Sequence, residues 1–226
     1  MVTLMVLMAN VVNAASDEVK VVPVYEEPRH RLVFANEDMM IINVSVPPGD
    51  TTLYHTHSHP TAYVVFTAAR VRLQTLGEDW VELDPEQAPK AGDIIYREDY
   101  LKTPLTHRAE NLDEIPFQVL GVINRGRGNK SSPESRVDNA PEPESPWFRV
   151  YRFDLAGGRG TDVHHHAHPV VVVQVNDGKS VVIENDWPTA EKTVGGTWSW
   201  HRGGIEHSLV NSGEAEVELI EIEVIK

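Results

Sequence analysis

Gly49 to Pro60 reads GDTTLYHTHSHP and sets histidines at alternate positions, His55, His57 and His59. Alternate side chains of a β-strand share a face, so at least two of these imidazoles, and at most all three, converge on one point. Gly158 to Pro169 reads GRGTDVHHHAHP and repeats the pattern 109 residues later, with His164, His166 and His168 in the matching places. The glycine, three histidines and proline all match at one offset without a gap. The chain therefore reads as two copies of one module, each built around a histidine cluster.

A length of 226 residues accommodates two modules of roughly 100 residues, each large enough to bury a core. Asp and Glu number 34 against 20 Lys and Arg, a net charge of −14. Such a chain repels phosphates, which excludes nucleic acid as a natural partner and disfavours an anionic membrane surface. There is no cysteine, so disulfides, thiolate metal sites and a cysteine nucleophile are all ruled out. Residues 1–15 combine an apolar run, Val2 to Val12, with small residues Ala14 and Ala15. They read as a secretory signal cleaved after Ala14, which implies a periplasmic or secreted protein, with the cytoplasm as the alternative. The run is too short to span a bilayer, and no other stretch qualifies.

The rest is rich in short strand signals. VKVVPVY, MMIINVSV, AYVVF, ARVRLQTL and PFQVLGVI lie in residues 19–125, and WFRVYRFDL, VVVVQV, KSVVIEN, TWSW and EVELIEIEVI in residues 147–226. Between them, residues 126–146 are rich in Pro, Ser, Glu and Gly and read as an exposed linker. No segment shows 3.6-residue apolar periodicity. The expected class is all-β, a sandwich or barrel with Gly/Pro turns.

Each module carries one further histidine, His107 four residues before Asn111 and His207 four residues before Asn211. Together these residues resemble the cupin superfamily. Its first motif is a Gly, five residues, His-x-His, then a Glu and a closing Gly. Its second is Gly, five residues, Pro-x-Gly, two residues, His, three residues, Asn. Gly49, His55 and His57 fit the first motif, as do Gly158, His164, His166 and Gly178. Gly196, Gly204, His207 and Asn211 fit the second, with Arg202 in place of its proline. In the first copy Ala69 replaces the closing glycine, and the stretch from Gly92 to His107 is four residues too long. The resemblance implies two jelly-roll barrels in tandem. It also implies one divalent metal (Fe, Zn, Mn or Ni) held by His55, His57 and His107 and another by His164, His166 and His207, a choice of metals suited to imidazole. The motif glutamate falls at Ala62 and Val171, which cannot ligate. Either these are three-histidine sites or another residue fills the place, with His59 and His168 as natural substitutes. That one of the two barrels is metal-free and purely structural is the bland alternative.

Tyr54, Tyr63, Tyr96 and Arg97 fall near the first site in sequence, and Tyr63 and Tyr96 are the candidates for contact with a substrate. His165 is expected at the surface, His30 and His201 in structural roles, and Trp198 and Trp200 in barrel core or rim. The expected function is a non-haem metal-dependent enzyme, dioxygenase-like or an isomerase, acting on a small organic molecule. The alternative is a non-catalytic metal or small-ligand binding protein, such as a sensor.

Overall fold

The computed structural model describes residues 19–226 apart from 68, 83, 85, 87, 130–132 and 143. The N-terminal signal expected over residues 1–15 lies outside the described residues. The first half forms strands β1 (Val21–Pro23), β2 (His30–Ala35), β3 (Met39–Val46), β4 (Tyr54–His57), β5 (Thr61–Val65), β6 (Val71–Thr75), β7 (Val81–Glu82), β8 (Ile94–Arg97), β9 (Leu105–Asn111) and β10 (Phe117–Asn124). The second half forms β11 (Phe148–Leu155), β12 (His164–His166), β13 (Val170–Gln174), β14 (Ser180–Glu184), β15 (Trp187–Lys192), β16 (Trp198–His201), β17 (Ile205–Asn211) and β18 (Val217–Val224). Two short 3-10 turns, Val24–Glu26 and Asp99–Leu101, complete the regular structure. No helix among the described residues is long and apolar enough to cross a membrane.

Each half is a jelly-roll barrel of two facing sheets. The first pairs the order β1-β4-β9-β6-β7 with β2-β3-β10-β5-β8, and the second pairs β12-β17-β14-β15 with β11-β18-β13-β16. The registers repeat. His55 lies opposite His107, and His164 opposite His207. The motif glycines and asparagines explain how each histidine strand is launched. Gly49 and Gly158 adopt φ of 69° and 71°, a left-handed turn conformation open to glycine. Their amides donate to the carbonyls of Asn111 and Asn211. The buried Asn111 side chain in turn donates to the Val46 and Ile115 carbonyls, and Asn211 to those of Leu155 and Ala215. Turn, histidine strand and the strand carrying the third histidine are thus tied together by satisfied buried polar groups.

The barrels share a core. Met39, Ile41, Val64 and Leu120 of the first pack with Phe148, Val171, Ile220 and Ile222 of the second. The strands that meet there are buried on both faces, which is why VVVVQV is a nearly continuous apolar run and why Glu221 and Glu223 of ELIEIEVI are buried with it. Trp198 and Trp200 pack on this shared core beside Phe34. The segment before β11 is bonded to the second barrel rather than left as a free spacer. Arg136 bridges His165, and Ser135 Oγ donates to Glu223 at 2.6 Å. It flanks β12 on the side that β1 occupies against β4.

Candidate metal centres

Period-two alternation on β4 turns His55 and His57 inward, and cross-strand pairing with β9 brings in His107. One ring nitrogen from each lies within 4.8 Å of the others. His57 Nε2 and His107 Nε2 are 3.0 Å apart. His55 donates its Nδ1–H to the Leu53 carbonyl at 2.9 Å, which fixes the tautomer and leaves a lone pair on Nε2. Burial lowers the pKa of His55 to about 4. Burial, with the positive charges of His55 and Arg97 behind it, takes His107 to about 3. Burial drives His57 lower still. At neutral pH these are three uncharged imidazoles with at most one proton between the facing Nε2 atoms of His57 and His107. That donor set fits a cation.

The cluster forms the floor of a cavity of about 410 Å³, walled mainly by apolar side chains such as Val44, Ile95 and Phe117, with Tyr63, Arg97 and Tyr100 also facing it. Tyr100 stacks on His57 at 4.9 Å between ring centroids. The Tyr63 hydroxyl lies 2.9 Å from His57 Nδ1. His30 packs edge-on to His55 with ring centroids 4.4 Å apart, so it belongs to the site's wall rather than to a remote structural position. Tyr96 lies elsewhere. Alternation on β8 sends Ile95 and Arg97 inward and Tyr96 outward, where its hydroxyl donates to the Glu142 carbonyl in a larger groove of about 790 Å³ that no histidine lines. Tyr54 is likewise outside, donating to Gln74.

In the second barrel His164, His166 and His207 meet a fourth group, Glu221 of β18. Its carboxylate is 2.8 Å from His166 Nε2, 2.8 Å from His207 Nε2 and 3.1 Å from His164 Nε2. His164 Nδ1 donates to the Asp162 carbonyl at 3.0 Å, matching His55. Burial opposes ionisation of Glu221, but His166 and the bonds from the other two imidazoles hold its pKa well below the carboxylate range. Burial likewise opposes a charge on His166, yet Glu221 and Glu223 raise its pKa to about 9. Three imidazoles and one carboxylate, all buried, form a four-donor set for a divalent transition metal.

Of the two possibilities left open by the missing motif glutamate, the first barrel has the three-histidine set, and in the second another residue, Glu221, fills the place. His59 and His168 do not substitute for it. The histidine strands end at His57 and His166, so alternation stops one step short of them. His59 bonds its neighbour Ser58, and His168 lines a groove with Trp200 and Arg202. The signal for Glu221 was present in ELIEIEVI, because carboxylates at alternate positions of a strand otherwise fit for burial need a partner inside. His201 also proves to be part of the second interior. It bonds Glu184 through Nδ1 and Ser199 Oγ through Nε2, the latter at 2.7 Å.

No protein-family model matches the sequence. The beta-alanine degradation protein BauB of Pseudomonas aeruginosa is 32% identical over 92 residues, spanning 41% of this chain and 90% of that protein. Among solved structures, AerE from Microcystis aeruginosa superposes with a TM-score of 0.63 at 15% identity, covering 90% of this chain and 96% of its own. A salicylate 1,2-dioxygenase from Pseudaminobacter salicylatoxidans gives 0.53 at 14%, covering 87% and 77%. An oxalate decarboxylase from Bacillus subtilis, studied for its Mn(II) centres, gives 0.54 at 15%, covering 84% and 70%. With its motif residues in place and its architecture shared with these proteins, the chain has the cupin fold, built as two barrels.

Proposed function

We propose that the protein is a metal-dependent enzyme of dioxygenase type, acting on a small organic molecule in the first barrel, with a second ion held in the second barrel. The observation behind this reading is the first cavity, where three neutral imidazoles sit beneath apolar walls in a space of about 410 Å³, within the range of small-molecule sites. His55, His57 and His107 would hold the ion there, and His164, His166, His207 and Glu221 the other. A three-nitrogen set leaves positions open for a ligand. A redox-active divalent ion would supply Lewis acidity and electron transfer to dioxygen. The chain's own residues supply the rest. The Tyr63 oxygen accepts the Nδ1–H of His57 when Nε2 ligates, and its own O–H remains available to a bound molecule. Burial holds that phenol's pKa well above its usual value, so it stays a donor. The salicylate 1,2-dioxygenase neighbour, with its gentisate adducts, and the part of BauB in degrading a small amino acid support a small polar substrate.

A non-catalytic reading draws on the second cluster alone. His166, His207 and Glu221 have no exposed side-chain surface, as expected of a site that stores or uses metal structurally. Elemental analysis and an oxygen electrode separate the two. The purified protein, loaded with Fe(II) and offered small carboxylic acids and phenols, should consume oxygen. The double variant His57→Ala/His107→Ala should lose one metal equivalent and that consumption, while His166→Ala/His207→Ala loses the other equivalent. Full metal content without turnover of any compound would favour the non-catalytic reading.

A further inference from the structure

The two barrels, laid on one another by register, differ at the cavity mouth. Arg97 lies opposite Thr61 on β5, and His201 opposite Val170 on β13, so Arg97 and His201 hold equivalent places. His201 has a carboxylate partner in Glu184. Glu184 lies opposite His207, and the residue opposite His107 in the first barrel is Thr75. The first barrel has thus gained a permanent positive charge and lost the acid that would answer it. Among the described residues Arg97 forms no ion pair. One N–H donates to the neighbouring Tyr96 carbonyl at 2.9 Å, and the group lies against the Tyr100 phenol. A guanidinium has five N–H donors in a fork that matches a carboxylate. Among the described residues no acidic side chain lines the cavity it faces.

We infer that the first cavity is a binding site for a small monocarboxylate, clamped by Arg97 at the mouth with its apolar body against Ile95 and Phe117 and its other end toward the three imidazoles. The site rests on the reading of this cavity as the ligand pocket. Such a clamp gives a charge-assisted, two-pronged bond, and it acts locally in a chain whose net charge of −14 otherwise repels anions. In the second barrel the Glu184 carboxylate already occupies the partner position, so no such clamp exists there.

Calorimetric titration of the full-length protein with benzoate, propionate and the neutral isostere benzamide tests this. Benzoate or propionate should bind saturably, and binding should weaken about tenfold or more in Arg97→Gln, with Arg97→Lys between. Benzamide should bind weakly and be indifferent to the substitution. Arg97 is exposed, so both variants should fold, which circular dichroism verifies. Metal content, measured on the same samples, should be the same in wild type and Arg97→Gln. Absence of saturable binding, benzamide binding as well as benzoate, or equal carboxylate affinity in all three proteins would overturn the site. Arg97-dependent binding in a protein whose metal content is untouched by His57→Ala/His107→Ala would instead uphold the carboxylate site and remove the metal reading of the first barrel.

Discussion

Glu221 and Gly121 occupy the same place in the two barrels. Glu221 lies opposite Val172 on β13, and Gly121 opposite Tyr63 on β5. Where the second barrel sends a carboxylate into its histidine cluster, the first has no side chain, and the ring across the strand gap fills the space. A Cβ added at Gly121 would stand 2.8 Å from Ile42 Cγ1 and 3.1 Å from Tyr63 Cε1. The exchange is therefore of a charge for a phenol. One barrel has a closed set of four donors carrying a negative charge, and the other a neutral set of three opening on a cavity. A duplicated scaffold has kept its three imidazoles in both copies while the fourth position diverged.

The largest effect should come from removing that charge. Glu221 is fully buried among three imidazoles, one of which it keeps protonated. Glu221→Ala removes the nearer of the two carboxylates that hold His166 protonated and leaves Glu223 at 3.8 Å as its remaining acid partner, and breaking this buried pair should cost about 3–5 kcal/mol in the metal-free protein. Calorimetry should show the second barrel melting well below the wild type, and elemental analysis the loss of one equivalent. His59→Ala, outside either cluster, should change neither. A small loss of stability in Glu221→Ala would mean that Glu221 is not ionised against His166.

The contrast between the barrels was only half legible in the sequence. Alternating histidines, the launching glycines and the asparagines four residues after His107 and His207 have local signatures, because alternation and left-handed turns are properties of the chain itself. The jelly-roll pairing follows from them only through resemblance. Glu221 escaped because its partners lie 14 to 57 residues away, on strands joined only by the fold. Tyr96 was misplaced for a similar reason, since proximity in sequence to Arg97 says nothing of facing the same way on a strand. Arg97 and His201 are equivalent only once registers are known, so neither the clamp nor its missing acid could be seen beforehand.

The next contrast is in pH. In the second barrel a metal must displace the proton of His166, whose pKa is raised to about 9 by Glu221 and Glu223 against the effect of burial. Below that value each unit of falling pH puts one more decade of His166 in the competing protonated form, so affinity should drop about 100-fold between pH 8 and pH 6. In the first barrel His55 and His107, lowered by burial to about 4 and 3, are already neutral across that range, and affinity should stay nearly flat. Competition titrations with a chromophoric chelator, on variants lacking one cluster each, resolve the two slopes. Equal slopes would show that the carboxylate does not set the protonation of its cluster.

The smallest effect, and the sharpest test of the exchange, is to move the carboxylate back. Gly121→Glu places a side chain where Ile42 and Tyr63 already touch, so overpacking should cost about 1–3 kcal/mol. Ile42 Cγ1 stands nearest to the added Cβ and the phenol next, and the second barrel carries Val172 where the first has Tyr63. Adding Tyr63→Val should free the space beside Ile42 and return part of the lost stability, while also removing the hydroxyl from His57 Nδ1. In the double variant the new carboxylate would join His55, His57 and His107, and the first barrel should acquire the steep pH slope of the second, with one of its imidazoles now held protonated in the metal-free state. If Tyr63→Val fails to relieve Gly121→Glu, the obstacle is the Ile42 side chain of β3 rather than the phenol. The divergence would then lie in how closely β3 and β10 pack, and the ring at position 63 would be a consequence of the lost carboxylate rather than its replacement.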